Sequence, residues 1–286
     1  MVNIQWYPGH MEKARREMSE KVKVVDMVIE CRDARIPLAS KNPLIDQLIG
    51  QKPRLILLTK IDLADPIKIK EWIRYFDREN QKAIAVNMKK GQGFQKEIVS
   101  ACLKLNQKKR DKQRSRGIEP RPIRAMVCGI PNVGKSTLIN RISGKNRLEV
   151  ANRPGVTRSL TWLHADRELD LLDTPGVLWP KFEDQRVGSL LAVLGSINED
   201  ILDQKFIAMD TIRSIQEGYP HFFSQVYGIQ ENLNPNQMLK AIAQKRGFKL
   251  EGDLLDTKRA AQSFIHDLRK GKFGGISLES VHEDMR

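Results

Sequence analysis

Short apolar runs alternate with amphipathic stretches along the first 180 residues, and the alternation then stops. The segments 24–29 ("VVDMVI"), 54–59 ("RLILLT"), 83–87 ("AIAVN") and 125–130 ("AMVCGI") are brief and rich in β-branched or aliphatic residues, the mark of buried strands. Between them, residues around 43–49, 67–76 and 95–105 have helical spacing. Residues 10–23 read as a basic amphipathic helix after a Pro-Gly turn, and another helix is expected from Lys135. Strands alternating with helices predict a mainly parallel α/β sheet. "LTWLHA" (160–165) and "LDLLDT" (169–174), joined by the polar "DRE", predict an adjacent or antiparallel strand pair. Beyond Pro180, helical spacing at 188–197, 203–209, 236–245 and 256–269 predicts an all-helical C-terminal domain over residues 181–286, after an N-terminal arm or helix (1–22) and an α/β domain (23–180). Phe206, Phe222, Phe223, Phe248 and Phe264 are expected in the core of that helical part rather than as base-stacking platforms.

The 286 residues are 40% apolar and 29% charged, which suits a globular chain. No apolar run reaches the eighteen or so residues of a membrane span, and the N-terminus lacks the apolar core of a signal peptide. Cys31, Cys102 and Cys128 are scattered without metal-ligand spacing, so reduced thiols in a cytoplasmic protein are expected. The net charge of +14 sits wholly upstream of the helical part, because residues 181–286 hold 14 basic against 15 acidic side chains. That imbalance favours a polyanionic partner, nucleic acid being the commonest, with a plain solubility charge as the alternative. Residues 104–124 carry nine basic and two acidic groups and read as a solvated linker or mobile basic arm.

The chemistry begins at "GIPNVGKST", residues 129–137, which fits Gly-x4-Gly-Lys-[Ser/Thr] between an expected strand and an expected helix. Glycines let the backbone wrap a phosphate, and successive N–H groups from Asn132, Val133, Gly134, Lys135, Ser136 and Thr137 can turn inward on it. Lys135 would bridge the β- and γ-phosphates and the Ser136 hydroxyl would ligate Mg²⁺. Some forty residues on, "DTPG" ends an apolar strand: Asp173 can hold Mg²⁺ through water, and Gly176 can bring its N–H to the γ-phosphate. Between them, Thr157 in "RPGVTR" is the candidate switch threonine that completes the Mg²⁺ shell.

"TKID", residues 59–62, resembles the guanine-reading loop of a GTPase, yet it precedes the phosphate loop by about seventy residues. Asp62 could accept hydrogen bonds from guanine N1 and the 2-amino group, and the stem of Lys60 could cover the base beside Thr59 and Ile61. "VNMK" offers a second base loop, with Asn87 in the usual Ser position and the Met88 N–H toward guanine O6. Read as a circle from Gly129, every motif falls in GTPase order. The chain therefore reads as a circularly permuted P-loop GTPase domain, with residues 104–124 joining the ends that permutation closes.

"WYPGHMEKA", "DARIP", "TKID", "GIPNVGKST", "RPGVT", "DTPG" and the C-terminal "DLRKGKFGGISLE" together resemble the ribosome biogenesis GTPase A, or YlqF, family of circularly permuted bacterial GTPases, over nearly the whole chain. The resemblance implies a cytoplasmic GTPase acting late in assembly of the large ribosomal subunit, in contact with ribosomal RNA and stimulated by the particle. It implies GTP and GDP as ligands and a C-terminal domain similar to RNA-binding antiterminator domains; a monomer without membrane contact is expected. Two departures stand out. Thr59 replaces the usual Asn, removing an amide that normally ties the base loop to the phosphate loop, and "VNMK" is a loose second base loop. After "DTPG", Val177 and Leu178 cannot orient a water as Gln does in many GTPases. The resemblance implies two substitutes: a K⁺ ion held partly by Asn132, and a catalytic His10 aimed by Pro8-Gly9 and anchored by Trp6 and Tyr7. The residues themselves leave His10 equally open to a local or RNA-contacting role. A GTP-switched RNA-binding module with little hydrolysis, and a GTPase acting on another RNA, remain as alternatives.

Overall fold

The first sheet strand, β1 (Met27–Asp33), is buried at every position and pairs in parallel with β2 (Arg54–Thr59) on one side and β4 (Ile123–Cys128) on the other. This computed structural model describes residues 9–89, 93–143, 161–197 and 203–281. With β3 (Lys82–Ala85), β5 (Thr161–Asp166) and β6 (Leu169–Asp173), the sheet order is β3-β2-β1-β4-β6-β5. All neighbours are parallel except β5, which pairs antiparallel with β6 across the expected polar turn. The middle of β2 shows why four consecutive residues are apolar: Leu55 and Leu57 join one buried cluster, while Ile56 and Leu58 join another with Trp72 and Phe76. Successive side chains point to opposite faces, and both faces are covered.

The helices α1 (Gly9–Lys21), α2 (Pro43–Ile49), α3 (Pro66–Arg78), α4 (Gly93–Arg114) and α5 (Lys135–Ser143) complete the α/β part. Starts are encoded locally. Asn42 and Asp65 cap α2 and α3 with their side chains, and each is followed by a proline at the first turn. The chain thus enters the sheet at β1, reaches the phosphate-loop strand β4 only after two further strands and three helices, and ends the sheet at β6, the permuted order.

Two expectations need correction. The run 24–29 is not one strand: residues 22–24 form a 3₁₀ turn with Val24 49% exposed, and β1 starts at Met27. Residues 104–124 are not a free linker, because α4 continues through Arg114 and only the residues after it form the connection to β4. Asn106 and Arg110 are buried; Arg110 donates to the Arg121 carbonyl (3.0 Å) and pairs with Glu168, while Lys109 and Arg121 meet Asp26 at 2.7 and 2.8 Å. The acids that anchor this basic stretch lie far away in sequence, so a local window reads it as solvated.

Asp26 gathers these contacts. Its partial burial raises its pKa, but hydrogen bonds from Lys109, the Arg124 N–H and Arg121 outweigh that and hold it below 3.8. Its stabilisation is therefore present above about pH 4 and is lost as pH falls through the folded value. Asp26→Asn is expected to flatten the acid limb of stability against pH: the deficit relative to wild type at pH 7, read by urea unfolding, should shrink by pH 3.

After β6 the chain is helical: α6 (Gln185–Val193), α7 (Gln204–Gly218), α8 (Phe222–Tyr227), α9 (Pro235–Lys245) and α10 (Thr257–Lys270). Asp203, Asn234 and Asp256 cap α7, α9 and α10, Asn234 through a full capping box with Gln237. Phe222, Phe223 and Phe264 are buried, and Phe206 and Phe248 pack partly buried against the same core. The short α8 has no counterpart in the sequence reading.

Candidate functional site

Parallel strands place their C-terminal ends along one edge, so β1, β2, β4 and β6 deliver "DARIP", "TKID", the phosphate loop and "DTPG" to one crevice despite their separation in sequence. The phosphate loop is shaped by backbone that side chains rarely adopt: φ is +146° at Gly129, +57° at Asn132 and +105° at Gly134. A Cβ at Gly129 would lie 2.6 Å from the Cys31 carbonyl oxygen. α5 begins directly at Lys135, presenting its first-turn N–H groups to the loop. The Lys135 ammonium is buried and donates to the carbonyls of Gly129 and Ile130 at 3.1 and 2.8 Å. Burial pushes its pKa down, and the nearby Asp173 opposes that shift.

Asp173 ends β6 fully buried, and neither carboxylate oxygen makes a hydrogen bond of normal geometry within the protein. Burial pushes its pKa up to about 6, against the pull of the Lys135 ammonium. A buried, unsatisfied carboxylate beside a phosphate loop fits a cation. Thr174 fixes the strand end by donating to the Val127 carbonyl at 2.7 Å. Gly176 rests on the phosphate loop: a Cβ there would meet Pro131 Cα at 2.7 Å, Pro131 N at 2.8 Å and Lys135 Nζ at 3.0 Å. Val177 and Leu178 are buried at 3% and 0% exposure, and the Val177 carbonyl accepts from Asn42 Nδ2 at 2.6 Å. Asn42 thus caps α2 and holds the loop after "DTPG", a role that no local pattern announces.

The base-reading side is tied to the phosphate side through Thr59. Its hydroxyl lies 2.6 Å from the Val133 carbonyl oxygen and 3.0 Å from that of Arg32. The expected loss of a tie through the missing Asn amide is therefore corrected, because the Thr hydroxyl reaches the phosphate loop itself. Lys60 takes φ +54°, and its ammonium sits 3.0 Å from Asp33, which Arg35 also clasps at 2.8 Å. Burial raises the Asp33 pKa, but the Arg35 and Lys60 charges and the Arg35 hydrogen bonds overcome it and hold the carboxyl well below the usual range. Asp62 meets Lys89 at 2.6 Å, joining the two expected base loops. Asn87 Oδ1 accepts from the Lys89 N–H at 2.9 Å, and the Met88 carbonyl accepts from Arg141 on α5 at 2.7 Å. The loose "VNMK" loop is thereby fastened to the phosphate-loop helix. Asp33, Arg35 and Arg141 were not singled out from the sequence; Asp33 and Arg35 stand in "DARIP", at and just after the end of β1, which was the available signal for those two.

Asn132 of the phosphate loop also reaches the helical part. Asn132 donates through Nδ2 to the Gly195 carbonyl at 2.6 Å, which links the phosphate loop to the turn after α6. His10 lies exposed in the first turn of α1, which buries Met11, Ala14 and Met18. Thr157 and the rest of "RPGVTR", Trp6, Tyr7 and Pro8, and His282 lie outside the described residues.

A phosphate loop, a strand-end Asp with "DTPG", and a "TKID" loop around one sheet edge define a circularly permuted P-loop GTPase, an enzyme that hydrolyses GTP, and GTPase domains of this type use Mg²⁺. Residues 124–242 match the family described as 50S ribosome-binding GTPase, a match that starts at β4 and takes in the phosphate loop and "DTPG". The chain is 45% identical to ribosome biogenesis GTPase A of Bacillus cereus, over 98% of this chain and 95% of that one. Among solved structures, GDP-bound YlqF superposes with a TM-score of 0.68 at 25% identity, covering 93% of this chain and all of that one. GNP-bound YlqF from T. maritima gives 0.65 at 26% identity, covering 94% and 98%. The chain belongs to the ribosome biogenesis GTPase A family.

Proposed function

We propose that this protein hydrolyses GTP to drive a late step in assembly of the large ribosomal subunit, and that the particle itself stimulates the hydrolysis. The observation that carries this reading is the burial of Val177 and Leu178 where a water-orienting side chain would stand. A catalytic group must then arrive from elsewhere, and a partner that positions it makes turnover conditional on assembly. The surplus positive charge upstream of residue 181 supports ribosomal RNA as the contact. No helix among the described residues is long and apolar enough to cross a membrane, and Cys31, Cys102 and Cys128 are buried free thiols; a cytoplasmic monomer completes this reading.

In this reading Lys135 exchanges its loop carbonyls for the β- and γ-phosphates, the Gly176 N–H meets the γ-phosphate, and Asp62 with the Met88 N–H reads guanine. Ser136, Thr157 and, through water, Asp173 would hold Mg²⁺, which when bound neutralises phosphate charge. With its amide nitrogen committed to Gly195, Asn132 would coordinate K⁺ through its amide oxygen. His10 orients or accepts a proton from the attacking water in its neutral form. If no partner supplied the missing group, the same buried Val177 and Leu178 would describe a second reading, a nucleotide-switched RNA-binding protein that scarcely turns over.

GTP hydrolysis measured with and without purified large subunits, in K⁺ and in Na⁺, separates the readings. Strong stimulation that needs K⁺ is expected. His10→Ala should keep GDP affinity and lower the stimulated rate by about a hundredfold, the scale of a lost general base. Tight GTP binding without stimulation in either salt would favour the switched RNA-binding protein, and an unchanged stimulated rate would remove His10 from the chemistry.

A further inference from the structure

The loop that carries Asp62 is gripped from behind by the far end of the chain. The Ile276 N–H donates to the Leu63 carbonyl at 3.0 Å, and Ser277 Oγ accepts from the Asp65 N–H at 3.2 Å. Two residues on, the Leu278 N–H donates to the Arg35 carbonyl at 2.8 Å. The Glu279 carboxylate accepts from the N–H groups of Leu38 and Ala39, both at 2.8 Å. Residues 276–279 are all nearly inaccessible, at 3%, 1%, 4% and 7%. Tyr219, at the end of α7, locks this segment: its hydroxyl accepts from the Ser277 N–H at 2.8 Å and lies 3.3 Å from Asp65 Oδ2. The fit leaves no slack, since a Cβ on Gly275 would sit 2.5 Å from the Ala64 carbonyl oxygen and one on Gly271 2.5 Å from Leu63 Cδ2.

We propose that residues 275–279 are a strap that sets guanine specificity, with Tyr219, Ser277 and Glu279 as positioning residues for Asp62. The inference rests on the reading of Asp62 as the guanine-binding carboxylate. The strap holds both loops that shape that side of the crevice. It binds Leu63, Ala64 and Asp65 immediately after Asp62. Through Arg35 and residues 38–39 it also holds the turn whose Asp33 fixes the Lys60 ammonium. Hydrogen bonds lose strength steeply with misalignment, so a loop displaced by a fraction of an ångström keeps its fold yet loses discrimination. The phosphate contacts come from a different loop, which meets this one through Thr59 upstream of the strapped residues, and they feel the displacement less. Since α7, α10 and the strap belong to the helical part, whatever docks on that part can reach the base-reading loop through Tyr219.

The test compares affinities for GDP and IDP, which lacks the 2-amino group that Asp62 would bind, in full-length wild type, Tyr219→Phe, Glu279→Gln and the double variant. Tyr219→Phe keeps the ring over which Lys68 packs at 4.7 Å, so it keeps the test open if Glu279→Gln fails to fold. The expected result is a GDP:IDP affinity ratio lowered about threefold to tenfold, most in the double variant, with IDP falling less than GDP because hypoxanthine keeps the N1–H but offers no 2-amino group, on the scale of one weakened charged hydrogen bond. A wild-type ratio in folded variants, or a parallel fall of GDP and IDP, would overturn the strap's role. Asp62→Asn, which should favour XDP over GDP, is the control for the underlying reading. If it does not shift the preference, base reading by Asp62 falls and the strap proposal falls with it; if it does and the strap variants keep the wild-type ratio, the strap proposal alone fails.

Discussion

Gly176→Ala is expected to lower GTP turnover by about a hundredfold or more and to weaken a non-hydrolysable GTP analogue more than GDP. The backbone at Gly176 is not in the left-handed region, so the cost is one of space and not of conformation. An added methyl would overlap the Pro131 backbone, at 2.7 Å from Cα and 2.8 Å from N, and press on Lys135 Nζ at 3.0 Å. Side chains can rotate away from such contacts, but Pro131 lies in the strained turn between Gly129 and Gly134, where backbone shifts cost about 1–3 kcal/mol. The "DTPG" segment would therefore lift off the phosphate loop, withdrawing its N–H from the γ-phosphate, while GDP keeps its contacts to α5. Calorimetric titration with both nucleotides, beside single-turnover hydrolysis, reads the two effects separately. Equal affinities and an unchanged rate would show that the two loops slide freely.

The strands and the order of motifs were legible because their causes are local. The run 55–58 is apolar at every position since β2 is covered on both faces, and the Asn42-Pro43 and Asp65-Pro66 pairs announce their helices by capping. The permutation was legible for a different reason: phosphate, Mg²⁺ and base each demand particular residue types, so their order can be read without any coordinates. What escaped was decided at long range. Arg110 is polar in any window, and only Glu168 and the Arg121 carbonyl make it a buried residue. Thr59 looked like a lost tether because its partner, the Val133 carbonyl, lies 74 residues away and is backbone. The "GISLE" segment alternates apolar and polar residues over only four positions, too short a run to announce a partner, and its meeting with the "TKID" loop is made by long-range contacts.

These long-range ties also change how the two halves of the chain relate. Asn132 reaches Gly195 from the phosphate loop, and Arg269 on α10 donates to the carbonyls of Val193 and Ala192 at 2.6 and 2.7 Å, closing the end of α6. The strap then leaves α10 for the base loop. The phosphate loop and the "TKID" loop are thus each within one hydrogen-bonded step of the helical part, which gives any coupling between that part and the crevice a route through named contacts.

Asp173→Asn is expected to stabilise the nucleotide-free protein while removing its Mg²⁺-dependent activity. The carboxylate is fully buried, neither oxygen has a hydrogen bond of normal geometry, and its pKa rises from 3.8 to about 6 by burial, with Lys135 and the Thr174 N–H opposing. A carboxyl whose folded pKa lies above its unfolded value binds its proton more tightly when folded. Its charge therefore costs nothing below about pH 4, costs progressively more between pH 4 and 6, and imposes its full penalty of about 3 kcal/mol above that. The neutral, isosteric Asn escapes the penalty. Urea unfolding without nucleotide or metal should find the variant about 1–3 kcal/mol more stable than wild type at pH 7.5, with the advantage shrinking toward pH 4. With Mg²⁺ and GDP present the order should reverse, because only the wild-type carboxylate gains from the cation by mass action. An Asn variant less stable than wild type at pH 7.5 without ligand would mean that attraction to Lys135 outweighs burial, and that this carboxylate is held for structure rather than for a cation.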